Sequence, residues 1–124
     1  MGRKSRDKGA RGEREWRDEI IANMPVFAET VRRGAEQRTP GLQVCDVEGV
    51  PNIWFEVKRT SARAPIMPGL RQGEQDTDGR TVVVASRVDR DDWVVSMRAS
   101  SWFPMFSAWL QEKKVSDETK EATG

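Results

Sequence analysis

Residues 42–59 read Leu42-Gln43-Val44-Cys45-Asp46-Val47, then Glu48-Gly49-Val50-Pro51-Asn52, then Ile53-Trp54-Phe55-Glu56-Val57-Lys58-Arg59. Asn52–Arg59 is the clearest strand of the chain, with Ile53, Phe55 and Val57 alternating against Trp54, Glu56 and Lys58. Leu42–Val47 follows the turn signal Pro40-Gly41 and reads as a second strand. The intervening glycine- and proline-bearing stretch is turn chemistry, so the two strands form a hairpin. Residues two apart on a strand share a face. Glu56 and Lys58 therefore project to one side while Ile53, Phe55 and Val57 pack on the other. Asp46, near the start of the turn, can lean toward Glu56, although alternation alone does not fix the register.

Upstream, the pattern is helical from Gly12. Trp16, Ile20, Ile21 and Met24 form an apolar stripe of 3.6-residue period, and Pro25 ends the helix. Glu13 falls three residues before Trp16 and seven before Ile20, on the inward stripe, where a carboxylate needs a partner or a metal. Residues 1–11 carry Arg3, Lys4, Arg6, Lys8 and Arg11 against Asp7, and read as a flexible basic arm. Such an arm can track the phosphates of a polyanion or be simply a solvated tail. Val26–Arg33 is a looser strand candidate.

Downstream, Thr60–Met67 reads as a loop and Pro68–Thr77 as a short helix weakened by Gly69 and Gly73. After an Asp78-Gly79 turn, Thr81–Arg87 has the unbroken apolar run of a strand covered on both faces. Trp93–Met97 is a further strand beyond the charged turn Asp89–Asp92. Ser101–Lys114 is a helix with Trp102, Phe103, Phe106, Trp109 and Leu110 on one stripe, and Pro104 is tolerated in its first turn. That stripe belongs to the core or to a homodimer interface. The order α-β-β-β-α-β-β-α predicts an α/β fold, a mixed β-sheet flanked by helices, with one domain over residues 12–114 and a polar tail over 115–124.

Composition restricts the chemistry. The 124 residues include no histidine and one cysteine, which excludes Ser–His–Asp and Cys–His triads, internal disulfides and Cys/His zinc clusters. Any acid, base or metal ligand must be a carboxylate, amide, hydroxyl or lysine. The 21 Lys and Arg nearly balance 20 Asp and Glu, so no whole-chain charge favours a polyanion, yet five cations against one aspartate crowd the first dozen residues. The charged N-terminal stretch resembles neither a signal peptide nor a membrane anchor, which predicts a cytoplasmic protein without a membrane partner.

Glu13, Asp46, Glu56 and Lys58 form the constellation that such chemistry can use. Carboxylates gathered at low dielectric repel one another, and a hard divalent cation relieves the repulsion. Mg²⁺ takes oxygen ligands, keeps several waters and commonly binds through one or two carboxylates plus a phosphate. Each residue also has a plainer reading. Glu56 and Lys58 can be a solvent-facing ion pair, Asp46 a turn residue and Glu13 a complement to the helix dipole. Cys45 is a small buried hydrophobe. Their joint order, helix Glu, strand Asp, strand Glu-x-Lys, is more specific than any member.

Asp46, the nine residues that follow and Glu56-Val57-Lys58 resemble the PD-(D/E)XK nuclease motif. Together with Lys8-Gly9-Ala10-Arg11-Gly12-Glu13-Arg14-Glu15, the pattern is most similar to archaeal-type Holliday junction resolvases and their small phage-borne relatives. The resemblance spans about Lys8 to Trp102, and Cys45 stands where the motif has its proline. It implies a restriction-endonuclease-like core acting as a homodimer with Mg²⁺, Mn²⁺ being a substitute. It also implies Asp46, Glu56 and Glu13 as metal acids and Lys58 as the catalytic lysine. A glutamine on the following helix, opening a Gln-x-x-x-Asp pattern, corresponds to Gln72 in Gln72-Gly73-Glu74-Gln75-Asp76, with Gln75 in reserve. The expected partner is DNA, branched or four-way, held by Arg3, Lys4, Arg6, Lys8 and Arg11 along the arm and by Arg59, Arg63 and Arg71 beside the active face. The competing expectations are a related nuclease acting on nicked, flap or branched DNA, and a non-catalytic DNA-binding accessory protein.

Overall fold

The hairpin over residues 47–60 forms where its turn residues demand it: Gly49 and Asn52 take positive φ values of 106° and 65°, and Val47 pairs with Phe55. The computed structural model describes residues 2–34 and 44–123, with side chains over 9–34 and 44–120. Its elements are α1 (Gly2–Asn23), a 3-10 turn (Pro25–Phe27), β1 (Arg32–Arg33), β2 (Val47–Glu48), β3 (Ile53–Thr60), α2 (Ile66–Asp76), β4 (Thr81–Val88), β5 (Val94–Ser96) and α3 (Ala99–Thr123). The five strands form one mixed sheet in the order β1-β2-β3-β4-β5. Neighbours are antiparallel except β3 and β4, which run parallel and are joined through α2.

Each face of the sheet carries one helix. On the first, Trp16 and Ile20 of α1 pack against Val47, Phe55, Val83 and Ala85, with the Trp16 ring edge-on to Phe55 at 5.4 Å. On the second, Leu70 of α2 packs with Cys45, Trp54, Val82 and Val84. β4 is thus apolar toward both helices, as its run of valines requires. The glycines of α2 sit at the tightest point of this packing. A Cβ on Gly73 would collide with Val82 Cγ1 and lie 3.1 Å from Glu56 Cγ, and one on Gly69 would meet Lys58 Cε at 3.2 Å. Each glycine costs a helix about 1 kcal/mol. Burying Leu70 and part of Ile66 returns roughly 1.5–3 kcal/mol for a fully buried side chain, so the helix holds.

Several boundaries differ from the sequence reading. Residues 2–11 continue α1 instead of preceding it as a separate arm: no proline interrupts them, and Arg11 pairs with Glu15 one turn on at 2.9 Å. The helix ends before Pro25 as expected. Most of Val26–Arg33 is not strand, because Pro25 opens a 3-10 turn closed by Ala28 N–H to the Pro25 carbonyl. Leu42 and Gln43 lie outside the described residues, and β2 pairs only from Val47. α2 begins at Ile66 and α3 runs on to Thr123, taking in most of the expected tail, which has no helix breaker before Gly124. The aromatic stripe of α3 is not core, since every side chain from Trp102 to Lys120 is exposed.

Candidate active site

β3 lies between β2 and β4, and its even-numbered residues Trp54, Glu56 and Lys58 face α2. Glu56 is only 6% exposed. Its Oε1 accepts the indole N–H of Trp54 at 2.9 Å. Trp54 is in turn held by Arg80, whose guanidinium lies 4.9 Å from the ring centroid and grips Glu48 through two bonds of 2.7 and 3.2 Å. One carboxylate oxygen of Glu56 is thereby oriented by a chain of contacts running back to β2.

Asp46 reaches the same place by a different device. Its backbone N–H bonds the Phe55 carbonyl at 3.0 Å, which keeps it in line with the ladder. β2 has not yet begun at this point, and Asp46 Oδ2 accepts the Val57 N–H at 2.8 Å. The side chain thus takes a ladder bond that backbone would otherwise fill. This fixes the carboxylate beside β3, within electrostatic reach of both Glu56 and Lys58.

The electrostatics follow from that crowding. Burial pushes the Asp46 carboxyl up, opposed by the Val57 N–H, the Lys58 charge and a hydrogen bond with Glu56. Burial and then the Asp46 charge raise Glu56 to about 7, with Asp76 adding to the rise while Trp54 and Lys58 oppose it. Two acids and one lysine therefore converge on one spot at the edge of α2. Glu13 approaches from α1, where burial and the Asp46 charge raise it, but its Oε2 is held by Arg33 of β1 at 3.0 Å. It is an acid already partnered by a cation.

Among the described residues, no group of three or more His, Cys, Asp or Glu side chains is gathered as a ready metal centre. The donors at hand are the Asp46–Glu56 pair. A hard cation that keeps most of its waters needs no more than one or two protein carboxylates, so this pair fits Mg²⁺ but not a fully protein-enclosed metal.

The other sequence candidates divide. Gln72 is exposed, and its amide donates to Asp76 Oδ2 at 3.0 Å on the turn of α2 that borders Glu56; Gln75 is also exposed. Arg59 is not a surface cation: its side chain is 5% exposed and pairs with Glu15 at 3.1 Å and with Asp89. β3 has turned it toward α1, the face opposite Lys58. Arg63 and Arg71 are exposed, and Arg11 is exposed while bonded to Glu15. Arg3, Lys4, Arg6 and Lys8 lie on the α1 backbone, and their side chains fall outside the described set. Cys45 is fully buried, and burial with the neighbouring Glu48 pushes its thiol up to about 12, which removes it as a nucleophile.

Two contributors escaped the sequence reading. Trp54 carried a usable signal, since it stands two residues before Glu56 on the same strand face. Arg33 carried none, because only the register of β1 brings it in. Asp76, which closes the Gln-x-x-x-Asp pattern begun by Gln72, is brought to Glu56 by the seating of α2. What fold and geometry define is an α/β domain in which a buried glutamate, a part-buried aspartate and a lysine meet beside its central hairpin. No protein-family model, no curated protein and no solved structure matches the chain. Among the described residues no helix is long and apolar enough to cross a membrane.

Proposed function

We propose that this protein is a Mg²⁺-dependent DNA endonuclease with a restriction-endonuclease-like core, acting on branched DNA as a Holliday junction resolvase of phage type. The observation that carries the reading is the convergence of Asp46, Glu56 and Lys58 on one hairpin, beside a parallel β3–β4 pair linked by a helix. Such a cation, when bound, supplies charge to a phosphodiester and lowers the pKa of a coordinated water.

The chain's own groups set the geometry. Val57 N–H and Trp54 N–H each hold one carboxylate oxygen, and the two carboxyls also bond each other, so Asp46 and Glu56 are the residues that would hold the cation in place of their shared hydrogen bond. Lys58 places a positive charge beside them, suited to a phosphate whose negative charge grows in the transition state. Glu13, bonded to Arg33, tunes the Asp46 side of the site electrostatically. Arg63 and Arg71 offer phosphate contacts that give affinity without reading sequence. This suits an enzyme selecting DNA by shape.

The test is cleavage of labelled four-way junction, flap and linear duplex in Mg²⁺ or EDTA, with Asp46→Asn and Lys58→Ala alongside. Symmetric junction cleavage that requires Mg²⁺ and falls roughly 100-fold or more in both variants is expected. Equal cutting of all three substrates would reduce the reading to a general nuclease. Binding without cleavage would overturn it in favour of a non-catalytic DNA-binding module.

A further inference from the structure

Beyond the acids, the α2 face of the sheet holds a cleft at the carboxyl ends of the parallel strands β3 and β4, the edge at which open α/β sheets take ligands. Its volume is about 300 Å³, and its lining includes Arg63, Ile66, Ser86, Val88, Asp92 and Val94. The strand register makes it a neighbour of the candidate active site. Ser86 is level with Lys58 across the β3–β4 pair, one strand spacing of about 4.8 Å away, and both face α2.

The lining is chemically mixed. Ile66, Val88 and Val94 give apolar walls. Arg63 and Asp92 are an exposed cation and anion, and among the described residues neither side chain is held in an ion pair or a hydrogen bond. Two unlike charges in one cleft, not paired with each other, suit a ligand that brings both an anion and N–H donors. Asp91 also lines the cleft, but its Oδ1 is taken by the Asp92 backbone N–H at 2.8 Å. The hydroxyls here are underused. Ser86 is only 3% exposed, and its Oγ reaches the Val94 carbonyl at 3.5 Å, longer than the roughly 2.7–2.8 Å of a good O–H···O bond. Thr60, level with Val88 and on the same strand face as Lys58, has a buried Oγ1 with no hydrogen-bond partner among the described residues.

We propose that this cleft receives one unpaired nucleotide of the DNA substrate. Its phosphate lies against Arg63, its base lies between the apolar walls, and an amino group of the base donates to the Asp92 carboxylate. The volume is at the lower end of the roughly 300–1,000 Å³ of ligand sites, which suits a single base with its sugar and not a base pair. A carboxylate acceptor selects bases that carry an amino group, as when Asp accepts from cytosine N4, and disfavours thymine, which has none. A base must leave the stack to enter, and does so most easily where it is already unpaired, so the cleft supplies a physical reason to prefer branched over linear DNA. That the nucleotide belongs to a DNA strand rests on the nuclease reading; the recognition chemistry of the cleft does not.

The two are tested apart by measuring binding in EDTA, which keeps metal-dependent cleavage out of the readout. The full chain is titrated with 2′-deoxycytidine 5′-monophosphate or thymidine 5′-monophosphate, following the Ser86 and Val94 amides by NMR, and with fluorescent oligo-dC or oligo-dT by anisotropy. Saturable shifts at both amides are expected, with cytosine bound at least about fivefold more tightly than thymine in both formats, and Asp92→Ala should erase that preference. Val94→Trp, which fills the cleft, should abolish the Ser86 shift, with circular dichroism reporting its fold. Absence of saturable shifts, equal binding of the two bases, or a folded Asp92→Ala that keeps the preference would each overturn the inference. A preference shown for the mononucleotide and not for the oligonucleotide would assign the cleft to a free nucleotide and overturn its place in DNA recognition. Junction cleavage without nucleotide binding would sink this inference alone, whereas nucleotide binding by a chain that cuts no DNA would uphold the cleft and overturn the nuclease reading.

Discussion

Replacing Glu56 by glutamine should stabilise the metal-free protein increasingly as pH rises from about 4.5 to 7, with the full effect above neutral pH. The carboxyl is raised from 4.5 to about 7, first by burial and then by the Asp46 charge, with Asp76 adding to it against Trp54 and Lys58. A raised acid favours the folded state while protonated. Its contribution is complete below about pH 4.5 and is lost as pH rises through 7. At about 1.4 kcal/mol for each pH unit between those values, ionised Glu56 costs the fold on the order of 3 kcal/mol at pH 8. Glutamine keeps a carbonyl oxygen for the Trp54 N–H and can donate to Asp46, while removing the charge. Thermal unfolding in EDTA should place Glu56→Gln about 10 °C above wild type at pH 8 and near it at pH 4. Equal shifts at both pH values would refute the electrostatic origin, as would a loss of stability at pH 8.

Gly73→Ala should lower stability by about 1–3 kcal/mol in urea titrations, despite alanine's higher helix propensity, because its Cβ would collide with Val82 Cγ1. Arg59→Ala should lower the melting midpoint through loss of the Glu15 and Asp89 pairs, by about 1–3 kcal/mol given that both acids are partly solvated. The same variant should leave the salt dependence of DNA binding unaltered. Replacing both Arg63 and Arg71 by alanine should leave the melting midpoint in place and reduce the salt slope by about 0.9 for each phosphate no longer neutralised, read by fluorescence anisotropy from about 50 to 200 mM salt.

The hairpin was legible because alternation, a glycine–proline turn and β-branched residues all agreed over residues 52–59. The central position of β4 was legible for a similar reason: valines on both faces have few other homes. What periodicity could not supply was the identity of the neighbour. The Trp102–Leu110 stripe has the spacing of a core helix, and nothing in that spacing says whether a sheet, a second copy or water lies opposite. Arg59 next to Lys58 looked like a surface cation, yet strand alternation turns adjacent residues to opposite faces, and its face is the one α1 covers. Gly69 and Gly73 counted against a helix on propensity alone, whereas they are the positions at which α2 approaches β3 and β4. At the site, Asp46, Glu56 and Lys58 could be grouped from the hairpin. Arg33 joins Glu13 only through the pairing of two-residue strands, which no local pattern encodes.

The hydrogen bond from Val57 to Asp46 gives this acid two jobs that substitutions can separate. Asparagine can offer the same acceptor oxygen to the Val57 N–H and so keep the hairpin closed while removing the charge. Alanine removes the acceptor as well, leaving a part-buried N–H without its partner and loosening β3 at the point where Glu56 and Lys58 are aimed. Inactivity of Asp46→Asn would therefore speak to chemistry, and inactivity of Asp46→Ala to architecture and chemistry together. The same economy bears on drift: a lineage that discards the negative charge can keep the fold through asparagine, so a descendant with Asn at this position would be a well-folded protein without that carboxylate.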